Sequence, residues 1–340
     1  MERRGWILHC RAGYEKTLAA EAIAAAATRG VYGYCRARPQ SAYVVFEAPA
    51  DDAPPLPPPL TFARAGLGLI TELTDLPEGR RAEAIAAALP RGLGAAEPWL
   101  EHPDSDDGRP LARFCRRFAG PARRALKAAG VTSGTPDQRL HLLFPNSRHC
   151  FVGLAPSGRW PAGIPRLRMP RNAPSRSVLK LEEALHRLVP EPERPYPGEH
   201  AVDLGAAPGG WTWLMRERGT TVTAVDNGSL ATEVADDPGV EHHRADAFRF
   251  RTRGEVDWLL CDVVDRPQGI ARLMLQWLRA DRARAAIFNL KLPMRRPLDI
   301  VQRTLHDLAA VGAQAQAAQL YHDREEVTVY ARRAPSRYSH

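Results

Sequence analysis

Ala201-Val-Asp-Leu-Gly-Ala-Ala-Pro-Gly-Gly-Trp211 is the stretch on which the reading of this chain turns. Residues 201–204 are a short apolar strand with Asp203 at its end. Gly205, Ala207, Pro208 and Gly209 form a tight turn, and a helix is predicted to start near Gly210 and Trp211. Glycine lets a backbone approach a ligand closely and adopt φ values closed to other residues. In open α/β sheets, ligands sit beyond the carboxyl ends of the strands. The loop is neither the G-x-G-x-x-G dinucleotide fingerprint nor the G-x-x-x-x-G-K-[ST] phosphate loop. Its acid, Asp203, would repel a pyrophosphate and suits a cationic ligand.

Two further acids extend this reading. Asp226 ends the next predicted strand, where a carboxylate can hold ribose hydroxyls. Asp246, in Arg244-Ala-Asp-Ala-Phe248, follows the presumed third strand and could accept from an adenine amino group. S-adenosylmethionine, with an ammonium and a sulfonium, matches such a set. After residue 175, short apolar strands at 201–204, 221–225, 258–261, 285–290, 316–320 and 327–330 alternate with helical stretches. That rhythm predicts a doubly wound, mostly parallel, Rossmann-like α/β sheet with an antiparallel hairpin at its edge.

Asp203-Leu-Gly-Ala-Ala-Pro-Gly-Gly-Trp211 resembles the cofactor loop of the FtsJ/RrmJ-like ribose 2′-O-methyltransferases, a superfamily that uses a Lys–Asp–Lys–Glu tetrad. Matching residues occur in the same order: Lys180 before the first strand, Asp262 ending the fourth, Lys291 ending the fifth and Glu326 starting the last. The chemistry suits them. A 2′-hydroxyl is a poor nucleophile, so in-line attack on a sulfonium methyl needs a base and strict alignment. A lysine serves as base when a nearby cation or desolvation lowers its pKa. Lys291 is therefore read as the base, Lys180 as the cation beside it, Asp262 as orienting the lysines and approaching the cofactor, and Glu326, rather than Glu325, as fixing the other side of the hydroxyl's site. Amino methyltransferases carry an Asn/Asp-Pro-Pro-Tyr/Phe run where this chain has Cys261-Asp-Val-Val264. Cys261 reads as an apolar packing residue, not a nucleophile.

Within the superfamily, SRSVLKLEEALH, DLGAAPGGWTW, VDNG, CDVVDRP, LMLQWL, FNLKLPM and LYHDREEVTV resemble the bacterial RlmM family over most of 164–332. The resemblance implies 2′-O-methylation of a cytidine in the peptidyl-transferase region of 23S rRNA, in the cytoplasm. It also implies that Ser177, Ala207 to Gly210, Asp226, Asp246 and Asp262 contact the cofactor. Ala207 stands where some relatives are expected to carry cysteine. A 2′-O-methyltransferase of another structured RNA, or a non-catalytic RNA-binding assembly factor, are the rival readings.

The N-terminal half reads as α+β, with strands at 5–10 and 41–47 around an Ala-rich helix at 14–28, then a mixed region from 60 to 160. The prolines of 51–59 and 156–174 mark breaks. The predicted division is 1–52, 60–160, a basic Pro-rich linker at 161–176, and 177–340. HCRAGYEK, FARAGL, FCRRFAGPARRALKAAGV and GIPRLRMP resemble the ferredoxin-like segment and a THUMP RNA-binding domain. The net charge of +8 suits a polyanionic partner, and two local runs carry it. They are Arg116, Arg117, Arg123, Arg124 and Lys127, and Arg166, Arg168, Arg171 and Arg176 in the linker. Five scattered cysteines without a C-x-x-C pair argue against a disulfide framework or a zinc site. The N-terminus lacks a secretory pattern and no run approaches the roughly 20 apolar residues of a membrane span.

Overall fold

A computed structural model describes residues 5–49, 57–132, 137–293 and 295–333, so part of the predicted break at 51–59 lies outside the described residues. The chain divides into two compact units, 1–166 and 167–340, a boundary that falls within the basic linker. Among the described residues no helix is long and apolar enough to cross a membrane.

The first unit is one seven-stranded sheet. Its strands are β1 (Gly5–His9), β2 (Tyr34–Ala37), β3 (Tyr43–Glu47), β4 (Ala65–Leu73), β5 (Ala96–Glu101), β6 (Gln138–Asn146) and β7 (His149–Pro156), in the order β2-β3-β1-β4-β7-β6-β5. Strand β1 is buried along its whole length, because it pairs antiparallel with β3 on one side and β4 on the other. Helix α1 (Glu15–Ala27) buries Leu18, Ala22 and Ala26, one stripe at a four-residue spacing. Helices α2 (Arg81–Ala87) and α3 (Leu111–Ala128) close a second core with Leu140, Leu142, Phe144 and Val152. The segments 1–52 and 60–160, set apart in the sequence by prolines, thus share a continuous sheet through the β1–β4 pairing. Strands β2 and β5 are absent from the sequence reading. Both are edge strands, and neither shows the alternation that marks a half-buried strand.

The second unit holds β8 (His200–Leu204), β9 (Thr221–Val225), β10 (Val240–His243), β11 (Val256–Cys261), β12 (Ala283–Lys291), β13 (Ala313–Ala318) and β14 (Glu326–Arg333). Their order is β10-β9-β8-β11-β12-β14-β13, parallel up to β12, with β14 antiparallel to both β12 and β13. The predicted hairpin exists, but its second strand inserts between the first and the parallel sheet. Helix α7 (Pro267–Arg279) buries Ile270, Leu273, Met274 and Trp277 at i, i+3, i+4 and i+7. Helices α4 (Val178–Arg187) and α5 (Gly210–Glu217) share a core with Trp258, Leu260 and Ile287. The sheet also carries α6 (Thr232–Ala235) and α8 (Pro297–Ala310). The carboxyl ends of β8, β9, β11 and β12 therefore line one edge, and the candidate site is there.

Candidate active site

The loop after β8 is shaped by close approaches. Gly205 has φ 78, and a Cβ there would lie 2.5 Å from Val263 Cγ2. Gly209 caps α5 at φ 112, a conformation that other residues rarely adopt. A Cβ on Gly210 would lie 2.3 Å from Ser177 Oγ and 2.4 Å from Ser175 Oγ. The helix start and the Ser-Arg-Ser turn before α4 thus touch only because residue 210 has no side chain. Trp211 Nε1 donates to the Ser177 carbonyl at 3.0 Å and reinforces that contact.

Of the acids, Asp226 secures the loop. Its Oδ2 accepts from Ala207 N at 3.1 Å and its Oδ1 from Gly228 N at 2.7 Å. A carboxylate has about four acceptor positions, so half-buried Asp226 keeps capacity for hydroxyl donors. Asp246 is exposed and accepts from Phe248 N at 2.8 Å. Asp203 behaves differently from the reading of it as an acid facing a cation. It is 1% exposed, and its Oδ2 accepts the Thr212 hydroxyl at 2.7 Å. Burial, with smaller contributions from Asp262 and Asp226, pushes its carboxyl up to about 7. Asp203 therefore acts on the loop from beneath, by fixing α5.

Three members of the predicted tetrad form one bonded cluster. Lys180 Nζ lies 2.5 Å from Glu326 Oε2 and 3.4 Å from Asp262 Oδ1. The fourth, Lys291, ends β12 in direct register with Glu326 of β14, and facing residues of an antiparallel pair have neighbouring side chains. Glu325 is exposed, and its carbonyl accepts from Leu292 N at 2.8 Å, so the geometry selects Glu326. Burial opposes the charged form of Lys180, yet Asp262 and Glu326 outweigh it and hold the amine above its ordinary pKa. One cation cannot compensate two carboxylates. Asp262 bears the difference, raised by burial and only partly relieved by Lys180 and Asn289. Lys180 is therefore the hub of a cluster of net charge −1, so the cation that the sequence reading placed beside Lys291 has its charge shared with two carboxylates. Lys291 itself is exposed and enters no ion pair among the described residues.

Behind this cluster lies a layer that the sequence reading missed. Asn289 Nδ2 donates to Asp262 Oδ1 at 2.7 Å, and Thr328 Oγ1 donates to Asn289 Oδ1 at 2.7 Å. Thr328 Oγ1 also reaches Asp323 Oδ2 at 3.1 Å. Asp323 accepts from Leu320 N at 3.0 Å and is pushed up to about 7 by burial. Glu183, on α4 one turn beyond Lys180, is 0% exposed. It accepts from Tyr321 N at 2.7 Å and His322 N at 3.0 Å, with His322 Nδ1 at 2.7 Å. It thereby ties the turn that delivers Glu326 to the helix that delivers Lys180. The available signal was polarity out of place: Asn289 and Thr328 interrupt strands whose other buried residues are apolar. Cys261 is buried and its thiol is pushed up to about 12 by burial, which fits packing.

Three family models match the chain. The RlmM ferredoxin-like domain covers residues 3–64, the ribosomal RNA large subunit methyltransferase M N-terminal domain covers 81–156, and the FtsJ-like methyltransferase covers 173–279. A protein of Halorhodospira halophila named ribosomal RNA large subunit methyltransferase M is 77% identical over 337 residues, covering 99% of each chain. The chain belongs to the RlmM family. Two further RlmM proteins are less similar to this chain than that one. That of Alkalilimnicola ehrlichii is 48% identical over 96% of this chain and 94% of its own, and that of Pseudomonas fluorescens is 42% identical over 96% of each. The match runs through both units, so the RlmM assignment covers the sheet of the first unit as well as the methyltransferase unit.

Proposed function

We infer that this RlmM protein transfers a methyl group from S-adenosylmethionine to the ribose 2′-hydroxyl of a cytidine in the peptidyl-transferase region of 23S rRNA. The single observation that carries the reading is the Lys180–Asp262–Glu326 cluster with Lys291 in register beside it, at the sheet edge that bears the glycine loop. The rRNA substrate follows from the relatives' name, and the cytidine from the resemblance of residues 164–332.

The residues at the loop fit the cofactor. Gly205, Gly209 and Gly210, with the small Ala206 and Ala207 between them, keep the turn free of bulky side chains, and half-buried Asp226 stands at the end of β9 with acceptor capacity to spare. The net negative cluster and Asp246 add charge of the sign that a sulfonium and an ammonium require. Ser177, Ala207, Pro208, Trp211 and Asp262 would complete the cradle. When bound, S-adenosylmethionine supplies an electrophilic methyl group. Lys291 Nζ would take the proton of the 2′-hydroxyl as the oxygen attacks. Lys180, held charged by its two carboxylates, fixes Glu326 and Asp262 on either side of the hydroxyl's position. Residues 60–160, read as THUMP-like, and Arg166, Arg168, Arg171 and Arg176, all exposed, provide cationic surface for the RNA.

The test is methyl transfer from labelled S-adenosylmethionine to a protein-free 23S rRNA fragment, with the product nucleoside identified by mass spectrometry. A 2′-O-methylcytidine is expected. Transfer to a base, to another RNA only, or to nothing would replace this reading.

A further inference from the structure

Helix α3 carries six basic residues and no acid along Leu111–Ala128. The sequence alone allows a solvated face, and the structure adds three facts. First, Cys115, Ala122 and Leu126 face the core, whereas Arg113, Arg116, Arg117, Arg124 and Lys127 are exposed and have no carboxylate partner among the described residues. Arg123, by contrast, reaches Glu97 at 3.4 Å. Second, Pro110, Arg113, Phe114, Arg117, Phe118 and Pro121 line an open groove of about 470 Å³ along the helix, within the range of small-ligand sites. Third, the rings of Phe114 and Phe118 stack at 5.3 Å and are only partly buried against the core.

Unpaired arginines beside half-exposed rings are an unfavourable arrangement for a surface with no occupant, since like charges are crowded on one helix. They match an unpaired polynucleotide strand, whose phosphates take guanidinium donors and whose bases stack on aromatic or Arg planes. A duplex would offer its phosphates but keep its bases stacked on one another, leaving the rings unused. We propose that the exposed groove of α3 is a binding surface for a single-stranded segment of the RNA substrate, with phosphates on Arg113 and Arg117 and a base against Phe118. The proposal rests on the reading that this chain acts on RNA, but binding can be measured without methyl transfer, so the two fail separately.

The experiment uses the full chain without cofactor and two fluorescent probes, an unstructured single-stranded RNA and a perfect duplex, titrated by anisotropy over a range of salt. Arg113→Glu/Arg117→Glu should weaken single-strand binding roughly tenfold or more. Loss of the two phosphate contacts should reduce the slope of log K against log salt by about 1.4, at about 0.7 per contact. The charge-matched control Arg29→Glu/Arg38→Glu changes exposed residues on the α1–β2 side of the same unit, at the sheet edge opposite β5, and should bind as wild type. Phe118→Leu keeps apolar packing and removes the ring. It should weaken the single strand at least fivefold, on the basis of about 1 kcal/mol or more per stacked base, and leave the duplex unchanged. Unaltered binding by the Arg variant would overturn the proposal and leave the face to solvent or to a protein. Equal losses in the control, or equal losses for duplex and single strand with Phe118→Leu, would overturn it too.

Discussion

Replacing Lys180 by methionine keeps the length of the side chain and removes the one cation that, among the described residues, is bonded to the carboxylate pair. Asp262 Oδ1 and Glu326 Oε2 lie 3.4 and 2.5 Å from the Lys180 amine. These oxygens are therefore at most about 6 Å apart, where two unit charges repel by about 3 kcal/mol at an effective dielectric of 20. The side chains of all three residues are less than a quarter exposed, so solvent screening removes only part of this. The figure also agrees with the roughly 3–5 kcal/mol seen when one partner of a buried pair is deleted. The cost depends on pH, and its sign can be worked out. Asp262 is already raised above its ordinary value by burial; without Lys180, which lowers it, Asp262 rises further, and the folded state binds more protons than the unfolded chain. Stability then falls as pH rises through the folded pKa and recovers as pH drops below it. Calorimetry of the full chain should show the transition of the second unit lowered by roughly 6–12 °C at pH 8, from about 3 kcal/mol in a unit of this size, and by clearly less at pH 5. Adding Glu326→Gln should restore most of the loss at pH 8. A deficit equal at both pH values, or one that Glu326→Gln does not relieve, would refute the electrostatic account of the cluster.

Lys291→Ala should abolish methyl transfer, by roughly 10²–10⁴-fold for loss of a general base, with the melting temperature unchanged because the side chain is exposed and unpaired; single-turnover kinetics with an rRNA fragment would decide it, and retained activity would remove Lys291 as the base. Asn289→Ala should leave RNA affinity intact but slow transfer by about a hundredfold, the scale of a misplacement near 1 Å, since it frees Asp262 from its 2.7 Å contact. Asp203→Asn tests the buried acid: its folded value of about 7 against 3.8 means that ionisation opposes folding, so wild-type stability is lost as pH rises from 4 to 7, by up to about 4 kcal/mol. The advantage of the variant should widen over that window in urea titrations, and parallel profiles would count against it. Gly210→Ala should weaken S-adenosylmethionine binding in calorimetry, because its methyl group falls 2.3 Å from Ser177 Oγ.

The linear chain was enough to specify its local pieces. The turn after β8 needs glycine at φ values of 78 and 112, so the loop was legible as residues 205–210. Six of the seven strands described in the second unit were legible because apolar runs between turns are short, although β13 was read a few residues late and β10, presumed before Asp246, was given no bounds. Lys180, Asp262, Lys291 and Glu326 were nameable because each sits at the end of an element that could be recognised.

Only the tertiary structure decided how these pieces meet. Insertion of β14 between β12 and β13 puts Glu326 opposite Lys291, and α4 brings Lys180 to a glutamate 146 residues away. Pairing of that range is settled by the buried faces of the whole sheet, and no local period encodes it. The same holds for β1 with β4, which joins two segments that prolines had seemed to separate. Charge is the clearest case. Whether Lys180 is a lone cation or the shared partner of two acids, and whether Asp203 faces a ligand or Thr212, depends on which groups packing brings within hydrogen-bond reach and how far it takes them from water.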